Sequence, residues 1–128
     1  MDVRTDEIVN RFKDSWTKTE SFYDDLIKNY PGFERLKPVR QFISQLRDNE
    51  EFNNFRLGTS MHTLVISRSV DHGLRRDQKY IKIETFDNSD FEVTFRDGDK
   101  TYRKYIIKNL GDTRLIKLLD TLRDTLVD

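Results

Sequence analysis

The chain has 128 residues, of which 35% are hydrophobic and 12% aromatic, and its 23 basic and 23 acidic side chains cancel. That length fits one domain able to bury roughly two-thirds of its unfolded surface, and the aromatic content excludes a disordered chain. The lack of cysteine excludes disulfides, thiolate catalysis and cysteine-based zinc sites, while the neutral total argues against a general nucleic-acid binder.

No apolar run approaches the ~20 residues of a membrane span. The opening MDVRTDEIVN carries acids where a signal peptide would be apolar. The expectation is a single cytoplasmic domain, residues 1–128, without membrane attachment.

In residues 5–29, Ile8, Val9, Phe12, Trp16, Thr19, Tyr23, Leu26 and Ile27 recur at three- and four-residue steps, which predicts a helix. Tyr30-Pro31-Gly32 ends it. Its broad aromatic stripe is expected to pack as core against a sheet, with any surplus left for a dimer partner. A second helix starts at Pro38, whose missing N–H is no loss in a first turn. Val39, Phe42, Ile43 and Leu46 form its apolar face.

A first strand is expected within residues 57–67, where Leu64-Val65-Ile66 is apolar on both sides and so reads as a covered strand. The long loop 68–78, RSVDHGLRRDQ, follows. Residues 79–107 then read as three strands joined by two turns. A last helix opens at Asp112, a good N-cap, and carries Leu115, Leu118, Leu119, Leu122 and Leu126 on one stripe. Helices, then strands, then a helix make the fold class α+β: two N-terminal helices, an antiparallel meander of about four strands, and a C-terminal helix.

Period-two alternation sets a register within 79–107. For the apolar sets to meet, Ile83 must oppose Val93 and Ile81 must oppose Phe95, so the first turn needs an odd residue count. Asp97-Gly98 signals a tight second turn. Such a turn pairs Arg96 with Asp99, Thr94 with Thr101 and Glu92 with Arg103, and it places Tyr102, Lys104 and Ile106 on the core side. The same register sets Glu84 across from Glu92, a repulsion that needs a cation, for which Arg103 is the expected bridge.

Charge falls in bands. Residues 54–82 carry six basic and two acidic side chains (+4), residues 83–99 one and six (−5), and residues 100–117 six and one (+5). Two candidate binding features follow. One is the charged row Glu84, Glu92 and Arg103. The other is the basic loop with Arg68, His72, Arg75 and Arg76. Two histidines without cysteine make a poor zinc set. No Walker loop, dinucleotide fingerprint, G-x-S-x-G or HExxH is present. No cofactor or metal is expected.

The residues favour a non-catalytic module of adaptor, chaperone, antitoxin or immunity-protein type, binding another protein or a second copy of itself. The first alternative is a nucleic-acid-associated module using the basic loop 68–79. The second is a small enzyme with His72 in a cleft between helices and sheet.

Overall fold

A computed structural model describes residues 3–49, 55–67, 79–86, 90–97 and 100–124, with side chains from residue 10 onward. In chain order it has α1 (Val3–Asn29), a 3-10 turn (Glu34–Leu36), α2 (Lys37–Arg47), β1 (Arg56–Ser60), β2 (Thr63–Ser67), β3 (Lys79–Thr85), β4 (Phe91–Asp97), β5 (Lys100–Ile107) and α3 (Thr113–Arg123). The strands form one antiparallel sheet in the order β1-β2-β3-β4-β5. The α+β architecture is the expected one, but the strand count is five.

The extra strand arises because residues 57–67 fold back on themselves. Ser60 opposes Thr63, leaving Met61 and His62 as a two-residue turn. Met61 takes φ 56°, a conformation usually signalled by glycine or asparagine. The sequence has neither there, so the hairpin carries no visible mark. At the end of α1 the signal is present, since Gly32 has φ +96° in the turn that reverses the chain toward α2.

The inner face of the sheet follows the predicted alternation. Leu57, Ile66, Ile81 and Phe95 lie in one cross-strand row, and Leu64, Ile83 and Val93 in the next. All are buried. Burying each such side chain contributes roughly 1.5–3 kcal/mol. Val39, Phe42, Ile43 and Leu46 of α2 join the same core cluster, as do Leu115, Leu118, Leu119 and Leu122 of α3. Leu126 lies outside the described residues. Asp112 caps α3 as expected, its carboxylate accepting from the Arg114 backbone N–H at 2.9 Å.

β4 and β5 depart from the predicted register. Asp97 opposes Lys100 and Arg96 opposes Thr101, but Phe95 opposes Arg103. Tyr102 is therefore an extra residue, a β-bulge. Thr94 meets Lys104 and Glu92 meets Ile106, not Thr101 and Arg103. The bulge shifts every later residue by one and so reverses the facing of the strand. Ile107 is buried and Tyr105 half-buried, while Tyr102, Lys104 and Ile106 are exposed. This resolves the difficulty of a core-facing lysine.

Candidate binding edge of the sheet

A five-stranded open sheet has two edges, and this chain treats them differently. At the β1 edge, α1 lies alongside and meets the strand's polar groups. The Ser15 hydroxyl accepts from the Leu57 backbone N–H at 3.0 Å and donates to the Phe12 carbonyl at 2.6 Å. The Trp16 indole donates to the Phe55 carbonyl at 2.6 Å. The Tyr23 hydroxyl donates to the His62 carbonyl at 3.0 Å. Phe12, Trp16 and Tyr23 are themselves buried. The helix closes an edge that would otherwise expose unpaired backbone groups.

The β5 edge has no such cover. Among the described residues no strand pairs with its outer side. Every residue from Lys100 to Lys104 is exposed. Tyr102 is 61% and Ile106 59% exposed, an unusual cost for large apolar side chains on the end strand.

The charged row of the outer face is only partly as expected. Glu84 does oppose Glu92. The cations beside them are Lys82, 3.7 Å from Glu84, and Lys104, 3.0 Å from Glu92. Arg103 is not the bridge, because the turn pairs Arg96 with Thr101 instead of Asp99 and the bulge adds one residue more, which sets Arg103 opposite Phe95. Its guanidinium lies 4.8 Å from the Tyr102 ring centroid, and it donates to the Tyr102 carbonyl at 3.0 Å. Among the described residues no carboxylate pairs with Lys100, Arg103 or Lys108. The structure thus brings Glu84 and Glu92 together and sends Arg103 to the open edge.

Arg68, His72, Arg75 and Arg76 lie outside the described residues. His62 sits in the β1–β2 turn, its ring edge-on to Phe33 at 4.6 Å between centroids, so it is a packing residue. Among the described residues no three His, Cys, Asp or Glu side chains group as metal ligands.

A groove of about 790 Å³ runs between α1 and the outer side of β1 and β2. Gly58, Val65 and Ser67 line it on the sheet side, and Arg11, Lys18 and Phe22 on the helix side. Val65 and Ser67 are buried, which explains why β2 reads as apolar on both faces. Asp14 shares the groove with the cations.

Among the described residues three titrating groups depart from their ordinary values: Tyr23, Asp112, and Arg114, which its side-chain hydrogen bond to Asp112 raises. Burial pushes the Tyr23 phenol far above the usual tyrosine range, so it stays protonated and donating. The side-chain hydrogen bond from Arg114 holds Asp112 below the usual carboxylate range.

The chain matches no family model, no curated protein and no solved structure. The β5 edge was partly legible in advance. Residues 100–108 hold four basic and no acidic side chains, and an open meander always ends on a strand with one free side. What hid it was the bulge, which exchanges the two faces of the strand.

Proposed function

We propose that this chain is a non-catalytic protein-binding module that takes an extended segment of another protein as a sixth strand along β5. The reading rests on the contrast between the two sheet edges. One is closed by α1 through Ser15 and Trp16, and the other is left exposed with Tyr102 and Ile106 upon it. Strand addition uses the free backbone groups for affinity and the alternating side chains for specificity.

The test compares the tagged full chain with a Tyr102→Glu/Ile106→Lys variant. Both substitutions fall on exposed positions, so melting is expected to change little. The wild type captures a partner from its own lysate and the variant loses it. Outward-facing β5 amides exchange quickly in the free chain and slowly in the complex. Undiminished capture by the variant sinks the proposal. So does slow exchange along β5 in the free chain, since the edge would then already be covered.

A further inference from the structure

We infer that the strand added to β5 is an acidic segment of a different protein, not a second copy of this chain. The inference rests on the strand-addition reading and adds the chemistry of the occupant.

The charge pattern disfavours self-pairing in the registers of fullest overlap. The two-fold antiparallel pairings of β5 with fullest overlap centre on Arg103, on Lys104 or between them. Those registers set Arg103 against Arg103, Lys104 against Lys104, or Arg103 against Lys104. Like charges placed directly opposite are destabilising. The bulge at Tyr102 further bends the edge away from an identical strand.

An acidic strand avoids the charge clash. Among the described residues Lys100, Arg103 and Lys108 have no carboxylate partner, and Lys104 pairs with Glu92. Acidic side chains opposite Arg103 and Lys108 complete pairs that the described residues leave open, and one opposite Lys104 adds to its pair with Glu92. Tyr105, Ile106 and Ile107 form an apolar block within this basic strip and ask for β-branched residues across from them. The occupant is therefore an extended segment with acids at both ends and an apolar middle.

Nucleic acid fits the same strip less well. Single strands bind by stacking bases on aromatic rings. Here the Tyr102 ring carries the Arg103 guanidinium at 4.8 Å and the Tyr105 ring carries Arg114 at 5.2 Å. Both platforms are partly taken.

The experiment titrates the full chain with two synthetic peptides and an oligothymidylate, followed by amide chemical shifts. The acidic peptide is acetyl-EVIVEETTE-amide, written to run antiparallel to β5 from Lys108 back to Lys100. Its neutral counterpart is acetyl-QVIVQQTTQ-amide. The expected result is binding of the acidic peptide about tenfold tighter than the neutral one at low salt, from several exposed ion pairs in sum. Shifts concentrate on β5, the gap narrows as salt rises, and Arg103→Glu/Lys108→Glu abolishes the preference. Equal binding of both peptides overturns the acidic occupant and leaves strand addition standing. Binding of neither overturns both. Tighter binding of the oligothymidylate replaces the peptide by nucleic acid, and concentration-dependent dimerisation through β5 replaces it by a second copy.

Discussion

Glu20 shows how one side chain ties two helices. It is 12% exposed at its side chain, with Arg40 at 3.1 Å and Arg47 at 2.8 Å. The Arg47 approach is close in distance without the alignment of a hydrogen bond. Arg40 also reaches Asp24 at 2.8 Å, so the two helices share a small ionic cluster. Glu20→Ala removes the centre of that cluster, and the expected loss is about 1 kcal/mol in urea unfolding, since the two ion pairs are partly exposed at their arginine ends. A loss within error would mean that both arginines find water at no cost. Asp112 makes a different, pH-dependent contribution. Its folded-state pKa is depressed, mainly by the Arg114 side-chain hydrogen bond. The stability it supplies is present above its unfolded value, about 3.9, and is lost as pH falls through the lower folded value. Asp112→Ala should therefore melt below the wild type at pH 7, and the gap should close as pH drops below that window. An equal gap at low pH would show that capping there does not depend on the ionised carboxylate.

Elements carry the next set of consequences. The β1–β2 hairpin holds Met61 at positive φ while leaving it 84% exposed, so its side chain gains little in return for the strain. Met61→Gly should raise stability by about 0.5–1 kcal/mol, the left-handed penalty outweighing the added unfolded-state entropy. A destabilised variant would show that the turn is held by its neighbours at no strain. α1 depends on its seal against β1. Ser15→Ala leaves the buried Leu57 N–H without its acceptor, and about 1–3 kcal/mol should be lost on that account. Fast exchange of the Leu57 amide in the variant is the direct readout, and unchanged protection there would refute the seal. These elements also show what the sequence could convey. The Ile81, Ile83, Phe91, Val93 and Phe95 alternation predicted the β3–β4 register residue for residue, because one buried face leaves no other pairing. The β1–β2 turn and the Tyr102 bulge were illegible, because neither uses the glycine or asparagine that normally marks such backbone. The Arg103 assignment failed on two counts: the turn pairs Arg96 with Thr101 and not Asp99, and the bulge then reverses the facing of the residues after it.

At the scale of the whole molecule, the sheet joins one sealed edge to one open edge. An open edge with exposed Tyr102 and Ile106 invites copies of itself unless some feature keeps the chains apart. The cations Lys100, Arg103 and Lys108, which pair with no carboxylate among the described residues, and the bulge are the features positioned to do so. Arg103→Thr/Lys108→Thr removes two charges and substitutes β-branched residues that suit a strand. Both original residues are exposed, so the core is untouched and the variant should fold. The wild type is expected to sediment as a monomer across the accessible concentration range, while the variant should associate as its concentration rises. Added salt should move the wild type in the same direction by screening the repulsion. If the variant stays as monomeric as the wild type, charge is not what guards the edge, and the Tyr102 bulge becomes the next feature to test. Deleting Tyr102 removes the bulge while leaving Arg96 opposite Thr101 and Phe95 opposite Arg103. That deletion should straighten β5, and association appearing only then would assign the protection to backbone shape instead of charge.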